Sequence, residues 1–292
     1  MKLKRLAWAL WAVFPVGVLF FHFGPGQAMF LGERAARVQR AALDSEALAK
    51  QAQSTAYEAH LKAIEARRAA FLSQKPEDET AARVATEAED AAYKTAGEAW
   101  KKVADQLNQA LELLKDEAPE TAKKLRWSRG RALVRSGDVW TGIGEFERLL
   151  EESETAPPNP EFEHATRQEL ATAYYYGARL LRLSGMPPQE WMVESGKARQ
   201  QIRYLAENSA STGPGVDPGE EAANAQRNLE LVLNLEQSSL NELQAKPLPK
   251  DSPRQGNEGN RPGNRPGRKT KRPPQQRDGR GAGGAGDIPE GW

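Results

Sequence analysis

Apolar residues recur at steps of three and four through most of the chain, and the breaks between these runs divide it into helices. The run from Leu6 to Phe23 is different, because it is uncharged throughout and follows Lys2, Lys4 and Arg5. From Ala28 to about Gln74 the chain is rich in alanine. Within it Tyr57, Leu61, Ile64, Arg68 and Phe71 alternate steps of four and three, the spacing of a coiled-coil seam. Lys75-Pro76-Glu77-Asp78 predicts a bend, since proline and acids suit the first turn of a new helix. That helix runs to about Lys115 with Trp100, Val103, Leu107, Ala110 and Leu114 on one face. Two such helices joined by a short turn make an antiparallel hairpin, whose simplest role is that of a stalk.

Between Glu120 and Ser153 two shorter helices follow. Leu125, Trp127, Gly130, Leu133 and Val134 form the inward stripe of the first, and Val139, Ile143, Phe146, Leu149 and Leu150 that of the second. Ser136-Gly137-Asp138 separates them, with Gly137 supplying the left-handed residue and Asp138 the expected cap of the second helix. Gly130 and Gly142 are small residues on facing helices, so the two axes can approach closely. Thr155 to Pro160 is a Pro-rich loop. Glu161 to Ser184 is helical, with Leu170, Tyr174, Gly177, Ala178 and Leu181 on one face, and Gly185 ends it. Of the Tyr174-Tyr175-Tyr176 triplet, Tyr174 is expected in the core, with one neighbour lining a groove. Pro187-Pro188 opens the next helix, with Trp191, Ser195, Ala198, Ile202 and Leu205 facing inward. Ala210 to Gly219 reads as a loop. A last helix is expected from about Glu220 to Gln244, with Ala222, Leu229, Val232, Leu233, Leu240 and Leu243 on its apolar side.

The pair at 120–153 resembles a tetratricopeptide repeat (TPR). The family's small residue on the first helix is matched by Gly130, its inter-helix turn by Gly137-Asp138, and its second-helix apolar positions by Ile143 and Phe146. Gly142 and Leu149 stand where the family usually has Ala, and Glu154 replaces its closing Pro, with Pro157-Pro158 arriving late. The resemblance covers about one repeat; an ordinary helical hairpin with a Gly turn is the other reading of the same residues. The family likeness implies a short, irregular α-solenoid that buries an extended partner segment in its concave face. The candidate groove residues are then Arg126, Arg129, Tyr175 and Arg179, on the first helix of each pair. The words Ala225-Gln226-Arg227-Asn228-Leu229-Glu230-Leu231 are similar to a closing helix of membrane-anchored TPR proteins of bacterial aerotolerance operons. That likeness implies a von Willebrand A-domain membrane protein as a possible partner and transfers no functional residue.

The expected fold class is therefore all-α. Residues 1–27 form a membrane anchor, 28–118 a long hairpin, 119–245 a TPR-like domain and 246–292 a disordered basic tail. The apolar run at about 6–23 spans roughly 27 Å, enough for the hydrocarbon layer. Trp8 and Trp11 suit the interface on the basic, cytoplasmic side. This reading places the chain in the bacterial inner membrane as a single-pass protein with an exported body. Gly26-Gln27-Ala28 keeps a cleavable signal peptide open, and a buried helix is the third alternative.

Charge changes the picture at one end. The formal net charge is +1 for the whole chain, yet 246–292 alone carries +6, which leaves −5 on residues 1–245. Gly and Pro make up 18 of those last 47 residues, a composition that cannot bury a core. The second functional reading starts here: a basic tail holding an anionic envelope polymer or a membrane surface, with the hairpin as spacer. Nucleic acid is a poor partner, because no aromatic residues interleave with the basic ones. The chain has no cysteine, and its three histidines, His22, His60 and His164, show no metal-ligand spacing. No P-loop, nucleophile-elbow or HExxH word occurs. No enzyme activity, cofactor or metal is expected, and the leading function is a protein-interaction scaffold.

Overall fold

In the computed structural model the described residues are 11, 13–21, 25–114, 118–208 and 218–254, and every regular element among them is a helix. The fold class is all-α. Eight helices follow one another: α1 (Pro25–Ser73), α2 (Pro76–Leu114), α3 (Pro119–Ser136), α4 (Val139–Ser153), α5 (Pro160–Leu183), α6 (Pro188–Glu207), α7 (Pro218–Gln237) and α8 (Leu240–Ala245). Each of α1 to α6 packs on its successor, α3 also touches α5, and α8 folds back onto α5, so the chain stacks helix on helix without long crossovers. Residues 11 and 13–21 are helical and exposed. The expected span at 6–23 lies only partly within the described residues, and among these no helix is long and apolar enough to cross a membrane.

The hairpin α1–α2 is antiparallel, since Arg67 meets Thr86 while Ala42 lies in one cluster with Trp100 and Leu107. Its seam is not the one that the sequence suggests. Ala35, Ala42, Ala49, Ala56 and Ala63, spaced by seven, are at most 3% exposed, whereas Leu61 is 37% and Phe71 79% exposed. Arg68 is exposed too, and Tyr57 and Ile64 are only half-buried. The reason is size. α2 fills the interface with Tyr93, Trp100 and Leu107, and only an alanine face on α1 leaves room for them at close helix separation. On α2 the expected Trp100, Val103, Leu107 and Ala110 are buried.

Between α3 and α4 the glycines act as expected. A Cβ on Gly142 would lie 2.5 Å from Val134 Cγ2 and 2.8 Å from the Gly130 carbonyl oxygen, so the axes approach to backbone contact. Gly137 is left-handed (φ 96°), and its N–H donates to the Val134 carbonyl. Asp138 occupies the N-cap of α4 but makes no side-chain cap hydrogen bond there, its backbone lying at φ −82°, ψ 57°. Asn159 does cap α5, accepting from Phe162 N–H. The inward stripes of α5 and α6 are buried as the spacing predicts. Their core is continuous with that of α4, Phe146, Leu170, Tyr174, Trp191 and Ile202 forming one cluster.

Trp100, Val103 and Leu107 of the hairpin share a cluster with Leu125 and Ala132 of α3, so the hairpin base and α3 have a common core. The last helix breaks at Ser238. Ser239 and Glu242 form a capping box, the Ser239 hydroxyl accepting from Glu242 N–H and the Glu242 carboxylate from Ser239 N–H, which starts α8 separately. Of the expected apolar positions here Val232 and Leu243 are buried and Leu240 is exposed, while Leu235 is buried in addition. Beyond α8, residues 246–254 were expected in the tail. They lie as a strap over the hairpin that turns at Lys250-Asp251, where the Ser252 N–H donates to the Pro249 carbonyl, with Leu248, Ser252 and Pro253 buried. The rest of the expected tail, 255–292, lies outside the described residues.

Candidate functional site

An open cleft of about 360 Å³ lies between α5, α6 and α7. Thr172, Tyr175 and Tyr176 of α5 form one wall, Asn228 and Leu231 of α7 the other, and Pro249 of the strap closes one end. The sequence places these groups simply. Ala225, Asn228 and Val232 step by three and four along α7, which turns Ala225 and Val232 into the core and leaves the exposed Asn228 amide at the rim. Tyr174 is buried and donates from its hydroxyl to Glu147 Oε1 at 2.7 Å, while half-buried Tyr175 lines the cleft. Burial pushes the Tyr175 hydroxyl above its ordinary pKa, against the opposing pull of Arg179. Amides and a neutral hydroxyl over an apolar floor suit an extended peptide backbone.

Of the four candidate groove residues only Tyr175 lines this cleft. Arg126 donates from Nε to Glu145 Oε1 at 2.7 Å and from Nη1 to Glu152 Oε2 at 2.7 Å. Arg129 donates to Asn108 Oδ1 at 2.5 Å and to Glu145 Oε2. Burial raises the Glu145 pKa, but hydrogen bonds from Arg126 and Arg129 outweigh it and hold the carboxyl below its usual range. These two arginines fasten α3 to α4 and α2. Glu145 faces both of them across the pair, so each guanidinium is engaged inside the body while remaining partly exposed. Arg179 is 4% exposed, and its Nη2 donates to the Leu243 carbonyl of α8 at 3.3 Å.

A second polar arrangement, under the strap, has no counterpart in the sequence motifs. Gln53 Nε2 donates to the Lys250 and Ser252 carbonyls at 3.0 and 3.2 Å. His60 Nε2 accepts the Leu248 N–H at 2.9 Å, and its Nδ1–H donates to Glu89 Oε1 at 2.5 Å. Glu89 is fully buried and also receives Arg67 and Arg254, while Arg254 reaches Asp90 at 2.7 Å. Arg135 joins Glu169 of α5 to Asp251 of the strap, at 3.3 and 3.5 Å. Burial, then Arg67, Arg254 and Arg179, pushes His60 down to about 4, so it is neutral at physiological pH and its Nε2 can accept. The signal was present in the seven-residue spacing of Gln53, His60 and Arg67 beside the alanine seam.

Among the described residues no cluster of three or more His, Asp or Glu side chains could hold a metal ion. Comparison of the chain with protein families, with curated proteins and with solved structures finds no match.

Proposed function

We propose that this protein is a non-enzymatic, membrane-anchored scaffold whose TPR-like helical body binds an extended segment of a partner protein at the bacterial cell envelope. The observation that carries the reading is the open cleft, with an apolar floor and an amide at its rim, built on rigid consecutive helices. The close glycine contact of α3 with α4 and the left-handed Gly137 support the tetratricopeptide likeness. The basic N-terminus followed by an uncharged run supports the anchor and the export of the body. Because Ala225, Asn228 and Leu231 of the aerotolerance-like words line the cleft, a von Willebrand A-domain membrane protein is the first partner to test. Co-purification of full-length protein with that partner in mild detergent should be lost on Tyr175→Ala with Asn228→Ala. Capture that survives the double change, or that never occurs with any membrane protein, argues against a scaffold acting through this cleft.

A further inference from the structure

The strap covers a channel between the hairpin and α5 that is lined by polar groups aimed at the main chain of whatever lies in it. Gln53 donates to two strap carbonyls and His60 accepts one strap N–H. Such contacts read backbone, so they would serve any segment that turns at the same place in the same register. The one aliphatic side chain of residues 246–254, Leu248, sits among Ala52, Ala56, Ala92, Tyr93 and Ala96, a seat kept shallow by alanines. Salt bridges of Asp251 with Arg135 and of Arg254 with Glu89 and Asp90 fix the direction of the chain.

The strap satisfies these groups but not all of the channel. Arg179, 4% exposed, has no carboxylate partner among the described residues, and its Nη1 has no hydrogen-bond partner. Tyr93, 7% exposed, also leaves its hydroxyl without one. Tyr93 borders the Leu248 seat and Arg179 holds the Leu243 carbonyl just ahead of it in the chain, so both lie beside the strap. Both orphaned groups are donors. A buried guanidinium without a counter-charge is costly, and two buried donors beside one segment match a carboxylate, which accepts from both.

We propose that this channel is a binding site for a partner segment that turns as the strap does and carries an aliphatic residue for the Leu248 seat and a carboxylate for Arg179 and Tyr93. Residues 246–254 are its resident occupant, filling the seat and leaving the carboxylate position open. The partner segment gains an ion pair that the strap lacks, and it displaces the strap on binding. This rests on the scaffold reading and names the chemistry of its partner.

The test uses the full-length chain in mild detergent and a fluorescent peptide of residues 243–254. The peptide is compared unsubstituted and with Ala245→Glu, Lys246→Glu or Pro247→Glu, and binding is followed by anisotropy. Leu248→Asp in the protein releases the strap. Asp251→Arg with Arg254→Glu releases it at its charged end instead, for use if the first variant does not fold by circular dichroism. Strap release should tighten binding of the unsubstituted peptide at least tenfold over wild type. One of the Glu peptides should bind a further tenfold tighter, and adding Arg179→Gln to the protein should erase that gain. Three results overturn the inference: equal binding to wild-type and strap-released chains, no gain from Glu at any position, or a gain that survives Arg179→Gln. A partner whose capture requires Tyr175 and Asn228 but is indifferent to Arg179 and the strap leaves the scaffold reading standing and removes this one.

Discussion

Gly142 is where α3 and α4 have least room, and alanine there tests their close approach directly. Its Cβ would meet Val134 Cγ2 at 2.5 Å, the Gly130 carbonyl oxygen at 2.8 Å and Val134 N at 3.2 Å. Two of these atoms are backbone, and the third belongs to a β-branched residue only 1% exposed. No side chain can swing aside, so the helix axes must part. Overpacking costs about 1–3 kcal/mol, and contacts this short belong in the upper half of that range. Alanine returns about 1 kcal/mol through better helix propensity, which leaves a net loss of about 1–2 kcal/mol. Gly196→Ala in α6 is the control, because a Cβ there meets nothing within 4 Å. Only the gain of about 1 kcal/mol remains at that position. Urea unfolding of the full chain in mild detergent, followed by tryptophan fluorescence, should move the two midpoints in opposite directions. They should end about 1 M apart for a urea slope of about 2–3 kcal/mol/M. A Gly142→Ala midpoint at or above that of the wild type refutes the close approach of this pair.

Three further outcomes follow from the described geometry. Ala56→Leu, at a fully buried seam position, should cost about 1–3 kcal/mol in thermal unfolding. Leu61→Ala, on the outward stripe, should change stability by less than Ala56→Leu; the opposite order would restore the seam suggested by the sequence. His60 is neutral in the fold down to about 4 but protonates near 6.5 when unfolded, so the unfolded chain binds the extra proton between those values. Its contribution is complete above pH 6.5 and falls as the pH drops toward 4, by up to about 3 kcal/mol at about 1.4 kcal/mol per pH unit. Denaturant midpoints across that window should decline more steeply in the wild type than in His60→Gln, and equal slopes would count against it. Arg179→Met removes a buried charge that has no counter-charge among the described residues, at the loss of one hydrogen bond to Leu243. It should raise the unfolding temperature, whereas a lowered one would mean that the charge is already compensated.

Much of the helix layout was legible because proline and glycine punctuate it. Pro76, Pro119, Pro160 and Pro188 each open a helix, and left-handed Gly137 and Gly185 each follow the end of one. Tyr174 in the core and Tyr175 in the cleft also followed from the direction of successive helical residues. The seam of α1 did not, because choosing the largest residues overlooked that bulk could come from α2, with alanines receiving Trp100 and Tyr93. Arg126 and Arg129 looked available because nothing local shows that Glu145 and Asn108 stand opposite them. The strap was illegible for the same reason at longer range. Leu248 and Lys250 bond to side chains 188 and 197 residues away, so a segment poor in aliphatics is held by partners that composition does not reveal.

A photoreactive side chain at position 175 in living cells gives the most direct test that the cleft holds a partner protein. Irradiation should give one discrete protein adduct from position 175 and the same adduct from position 228, with none from exposed Phe71 at the hairpin tip. Adducts from Phe71 alone, or no protein adduct from the two cleft positions while the body remains folded, would contradict a scaffold that works through this cleft.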